Sequence, residues 1–122
     1  MNTTLLWLSV AIMLFTAAMH SIFGERRLIM PLLDLNQGVM ANPQSRAVMR
    51  LAWHGTSILM VGLAYVLAFQ ALNIEQAQRP VILAIGFAMT SFGLLDAVIS
   101  KGRHIGWPFL TAVGVLALLA IR

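Results

Sequence analysis

The sequence predicts an all-α membrane protein: an antiparallel bundle of four transmembrane helices with a longer first cytoplasmic loop. Three observations predict it. Hydrophobic residues make up 60% of the 122 and charged residues only 10%, where soluble domains carry about 25% charge. Four apolar runs, at about residues 3–23, 51–72, 80–99 and 104–121, each approach the ~20 residues that cross ~30 Å of hydrocarbon. The second and third linkers are short enough to force antiparallel neighbours. The whole chain then forms a single integral membrane domain.

The first run opens with Met-Asn-Thr-Thr and so lacks the basic start of a signal peptide. It is read as a retained helix. After it, Leu28-Ile29-Met30-Pro31-Leu32-Leu33 is apolar but too short to span, which predicts an interfacial helix or a segment lying over the bundle end. Asn42-Pro43 looks like an N-cap followed by proline at the first helical position. The second helix is therefore expected to begin there, before it enters the lipid. The third run leads through Ser100-Lys101-Gly102-Arg103 into the fourth, whose first turn holds Pro108. Ala84-x-x-x-Ala88 predicts a small-residue helix contact, and 112–121, apolar all round, predicts a face toward lipid or a partner chain. Tyr65, deep in the second run, needs a hydroxyl partner, for which Thr90 or Ser91 has a compatible depth.

Basic residues orient the chain. Arg26, Arg27, Arg46, Arg50, Lys101 and Arg103 fall on one side, and Arg79 and Arg122 on the other. The positive-inside rule puts the first and third loops in the cytoplasm and both termini outside it. The expected location is a bacterial inner membrane. The pI of about 11.3 then reflects lipid-flanking charge; no basic stripe with interleaved aromatics points to nucleic acid. The chain has no cysteine, which excludes disulfides, thiolate metal sites and thiol nucleophiles.

The ionisable residues carry the functional signal. His20 and Asp96 lie just inside the ends of the first and third runs, His54 just inside the start of the second, and His104 opens the fourth. Glu25 follows the first run. In the predicted bundle these five share one layer beneath the cytoplasmic headgroups. Polar groups at that depth are costly and tend to be functional. Imidazole with carboxylate suits Zn, Fe or Cu, so His20, His54, Asp96, His104 and Glu25 are candidate metal ligands. His20 and His54 are alternatively axial ligands to a haem b, with Gly55, Gly62 and Gly93 leaving room for the macrocycle; the competing reading of these glycines is close helix packing. Asp96 alternatively pairs with His54, His104 or Arg103, and Glu25 with Arg26 and Arg27. Ser21 and Ser57 can sit beside a histidine, but a nucleophile also needs an oriented base and an oxyanion site, which sequence does not display.

The strings His20-Ser21-Ile22-Phe23-Gly24-Glu25-Arg26-Arg27, Trp53-His54-Gly55-Thr56-Ser57 and Gly102-Arg103-His104-Ile105-Gly106-Trp107-Pro108 resemble those of a group of small, uncharacterised four-span bacterial inner-membrane proteins. The resemblance implies the fold and the membrane, and no established activity. By size the chain is also similar to small multidrug resistance transporters, but its first run has no mid-depth glutamate. Three functions follow as expectations: a membrane protein binding a transition metal or haem at the His/carboxylate layer, a structural or accessory subunit of a larger membrane complex, and a small proton-coupled transporter; the expected partners are the lipid bilayer and either further copies of the chain or a larger membrane complex.

Overall fold

The computed structural model describes residues 1–122, all helix and connection with no strand. Five α-helices follow in order: α1 (Thr3–Gly24), α2 (Met30–Asp34), α3 (Pro43–Leu72), α4 (Arg79–Ile99) and α5 (Trp107–Ala120). Asn2 caps α1 by accepting the Leu5 amide at 3.2 Å. Asn42 caps α3 by accepting the Gln44 amide at 2.9 Å, with Pro43 at the first helical position as expected. The run Thr3–Asp34 and the helices Pro43–Leu72 and Arg79–Ile99 are long and apolar enough to cross a membrane, while Trp107–Ala120 is shorter.

The helices form a ring with one open side. α3 packs on α1, α1 on α5 and α5 on α4, whereas α3 and α4 touch only sparsely although they are consecutive. The short turn between them does not force them together along their length. The reason lies on α4 and α5. A Cβ on Gly114 would run into Thr90 and the Gly86 backbone, and a Cβ on Gly93 would run into Thr111 and the Trp107 carbonyl. Gly86, Thr90 and Gly93 therefore form a bare stripe on α4 that draws α5 to backbone distance, as small residues do between membrane helices. Ala84 and Ala88, the expected contact, are exposed. Gly93 follows the packing expectation; Gly55 and Gly62 face open space.

One apolar core joins Leu6, Val10 and Met13 of α1, Ala64, Leu67 and Ala71 of α3, Ile82 and Ile85 of α4, and Val113 and Ala117 of α5. It lies in the half of the bundle near the α3–α4 turn, where Gln70 Oε1 accepts the Gln78 amide at 2.7 Å. In the other half α3 and α4 part. The circumference is apolar: Ile58, Leu59, Phe87, Phe92, Val98 and Ile99 are all exposed. An apolar rim this continuous is foreign to a soluble monomer and suits hydrocarbon.

Several expectations are corrected. Residues 28–33 do not form a separate interfacial helix: α1 runs on through a π-helical turn, Glu25–Ile29, into α2, and Ile29 and Leu33 bury one face. The fourth helix begins at Trp107, not His104, which leaves 14 residues or ~21 Å. α5 does not face outward either, since Leu110, Val113, Gly114, Ala117 and Ala120 are buried between α1 and α4. Tyr65 stands on the outer surface, 70% exposed, because α3 turns that face away from α4.

The α4–α5 approach yields a prediction. Gly114→Leu is expected to lose about 1–3 kcal/mol through overpacking. Gly62→Ala, placed in open space, is expected to be neutral or to gain up to about 1 kcal/mol from helix propensity. Thermal unfolding in detergent checks both.

Candidate functional site: two polar clusters at the open end

The π turn begins at Glu25, where the α1 backbone changes register beside α3; such turns recur at functional sites. Glu25 does not pair with Arg26 or Arg27. Its Oε1 lies 2.7 Å from an Arg50 guanidinium nitrogen and its Oε2 lies 3.1 Å from His54 Nε2. His54 Nδ1 in turn meets Ser21 Oγ at 2.6 Å. Glu25 and Ser21, four residues apart, thus lie on one face of the first helix; Arg50 and His54, also four apart, answer from α3.

His20 belongs to a second cluster. Its ring stacks on Trp53, with centroids 4.3 Å apart and planes 8° from parallel. The Trp53 indole donates to the His20 carbonyl at 3.0 Å. Gly24 makes room for this, since any Cβ there would overlap the indole. Across the open side, the Asp96 Oδ2 and His104 Nδ1 atoms are 2.5 Å apart, so Asp96 takes His104 from among its expected partners. Between these two pairs lies a cleft of about 320 Å³. Its polar lining is His20, Thr56, Asp96 and His104; Met60, Phe92, Leu95 and Leu110 are among its apolar walls.

Hydrogen-bond chemistry fixes which ring nitrogens remain free. A carboxylate accepts and does not donate, so His54 Nε2 carries the proton toward Glu25 and its Nδ1 accepts from Ser21. By the same logic His104 Nδ1–H donates to Asp96, leaving the Nε2 lone pair free. Thr56 Oγ1 is 2.7 Å from the Trp53 carbonyl and 2.8 Å from His20 Nε2. Its one proton goes to the carbonyl, so His20 Nε2–H donates to Thr56. The Nδ1 lone pair of His20 is then free. In the neutral ring form His20 and His104 each keep an unused lone pair, and both residues line the same cleft.

The five expected residues therefore do not form one group. His20, Asp96 and His104 gather at the cleft, while His54 and Glu25 are tied to Ser21 and Arg50 at the α1–α3 seam. No three His, Asp or Glu side chains come close enough to hold a metal ion by themselves. Sequence reasoning offered Arg50 to haem propionates and Thr56 to His54, and missed the Arg50–Glu25 ion pair, the Thr56–His20 contact and the Trp53–His20 stack. A signal for Arg50 was present, since four residues separate it from His54. Comparison of the chain with protein-family models, curated proteins and solved structures finds no match.

Gly24→Ala is expected to push the indole off His20, costing about 1–3 kcal/mol by overpacking. In a background of Trp7→Phe and Trp107→Phe, which leaves Trp53 as sole reporter among the three tryptophans, its emission is expected to shift while that of the Gly62→Ala control stays put.

Proposed function

We propose that the chain is a four-span protein of a bacterial inner membrane whose lateral cleft binds a transition metal or haem through His20 and His104. The observation that carries this reading is the pair of free imidazole lone pairs on one cleft, each ring held at its other nitrogen. Metal-bound histidines commonly have this arrangement, with the second N–H given to a carboxylate or other acceptor. Asp96 is accordingly an orienting partner of His104 rather than a ligand. Two protein donors suffice for a haem iron, or for an ion whose other positions hold water or a small ligand. The apolar walls Met60, Phe92, Leu95 and Leu110 suit a group that enters sideways from lipid. Bound there, the group would supply Lewis-acid or electron-transfer chemistry.

The far half of the bundle favours a site over a route. It is filled by Leu67, Ala71, Ile82 and Ile85, all buried, so a polar solute meets no continuous polar path. A second reading, an accessory subunit, is favoured by one observation. Leu51, Ile58, Tyr65 and Leu72 recur at seven-residue spacing on α3 and are 71, 68, 70 and 72% exposed. That spacing is the seam of a helix–helix contact. Mild extraction followed by native mass spectrometry separates the readings: a larger complex supports the subunit, an isolated homo-oligomer removes it.

Purified protein is expected to carry near-stoichiometric metal or haem by elemental analysis and visible spectrum. His20→Ala and His104→Ala are expected to empty it, Asp96→Asn to weaken affinity about 10–100-fold, and His54→Ala to leave it filled. Protein that carries neither group and cannot be loaded overturns the reading. Four spans and their orientation are tested with single cysteines, since none is present natively. A thiol at Lys101→Cys is expected to react from the cytoplasmic side, and one at Glu75→Cys from the opposite side.

A further inference from the structure

The seam cluster is used neither by the apolar core nor by the proposed cleft ligand. Ser21 Oγ meets His54 Nδ1 at 2.6 Å, and His54 Nε2 meets Glu25 Oε2 at 3.1 Å. Hydroxyl, imidazole and carboxylate stand in the order that activates a serine. The ring nitrogens are exchanged relative to the serine protease arrangement, but either nitrogen of an imidazole can take a proton while the other donates. The tautomer derived above is the one a general base requires. The cluster is also reachable: Ser21 is half-buried, and the His54 and Glu25 side chains are 32 and 23% exposed.

We propose that Ser21 is a nucleophile toward carboxylic esters of anionic membrane amphiphiles, with His54 as its general base and Glu25 holding the ring. Ser21 Oγ adds to the ester carbonyl carbon while its proton passes to His54 Nδ1. Glu25 stabilises the imidazolium that results. The adduct collapses, the ester C–O bond breaks, and the alcohol departs with the proton from Nδ1. Water then gives a proton to Nδ1 and adds to the acyl carbonyl. The bond to Oγ breaks, Oγ recovers its proton and the acid is released. The sum is ester plus water to acid plus alcohol. Arg50 is the formal positive charge within the cluster and holds Glu25 from the side away from Ser21.

The surroundings define the substrate class. Ile22, Phe23 and Leu51, sequence neighbours of the cluster, are exposed and offer an apolar path for an acyl chain. Arg26 and Arg27, next to Glu25 in sequence and exposed, suit an anionic head. An ester lying at a lipid–water boundary meets both.

The test is covalent labelling of detergent-solubilised full chain with an alkyl fluorophosphonate, mapped by peptide mass spectrometry. The adduct is expected on Ser21, to vanish in Ser21→Ala and to persist in Ser57→Ala. Its rate is expected to fall about 100-fold or more in His54→Gln, the usual scale of general-base help, with thermal unfolding confirming that the variant folds. A merely structural Ser21–His54 link predicts no such adduct. Hydrolysis of p-nitrophenyl decanoate is expected to exceed that of the acetate and to follow the same variants. Absence of a Ser21 adduct, an adduct that forms equally fast in His54→Gln, or hydrolysis indifferent to Ser21→Ala overturns the proposal. The cleft residues are untouched by these variants, so failure here leaves the metal reading standing.

Discussion

The approach of α4 to α5 at Gly86, Gly93 and Gly114 is the constraint on which the rest depends. Apolar side chains gain little from leaving lipid for one another, so packing and hydrogen bonding decide which membrane helices associate. Where a bare glycine stripe meets backbone, dispersion contacts multiply over a short separation. α5 is drawn to α4 on one side and α1 on the other. α3 then has α1 as its main neighbour, and the ring stays open between α3 and α4. The cleft is thus a by-product of where side chains are missing. It exists at one end only because Ala64, Leu67, Ile82 and Ile85 close the other.

The polar residues at the open end are governed by a different rule. A polar group withdrawn from water without a partner costs about 2–7 kcal/mol for an amide or hydroxyl. Each histidine accordingly gives one N–H to an acceptor: Thr56, Glu25 or Asp96. That assignment determines what chemistry is left. At His20 and His104 it is an open lone pair, which suits ligation. At His54 the second nitrogen already holds the Ser21 hydroxyl, which suits proton transfer. Under the two proposals, one residue type would serve two chemistries because the second ring nitrogen is open at His20 and His104 and engaged by Ser21 at His54.

Much of the fold was legible in the sequence, and the physical reasons are plain. Length and hydropathy mark α1, α3 and α4 because a membrane span needs little more than those. The α3 start was legible at Asn42-Pro43 because capping is local. The α5 start was not: His104 follows basic residues and precedes Ile105, yet the turn at Gly102, with φ +73°, continues past it to Gly106. The open side was hidden as well. Loop length says that α3 and α4 are consecutive and antiparallel, but not that a third helix holds one of them more tightly. The gathering of His20, Asp96 and His104 followed from depth alone. The departure of His54 and Glu25 to the seam did not, because depth carries no information about which way round a helix a side chain points. His54 and Trp53, adjacent in sequence, serve different clusters.

Adjacency of that kind has a mechanistic consequence. His20 and Ser21 on α1, and Trp53 and His54 on α3, interleave at one crossing: Trp53 meets His20, and His54 meets Ser21. A helical residue and its successor point about 100° apart, so one crossing feeds two faces of the helix pair. The stack and the indole hydrogen bond set the α1–α3 register at this level, and the same register brings Ser21 to His54 Nδ1. Cleft and seam are therefore positioned by a shared contact while remaining chemically separate. A change that slides α1 along α3 disturbs both clusters together; a change confined to a side chain beyond the crossing, at Asp96 or at Glu25, disturbs one. The bundle thereby separates the mechanical role of these residues from their chemical role, even though all of them lie within a few turns of one another.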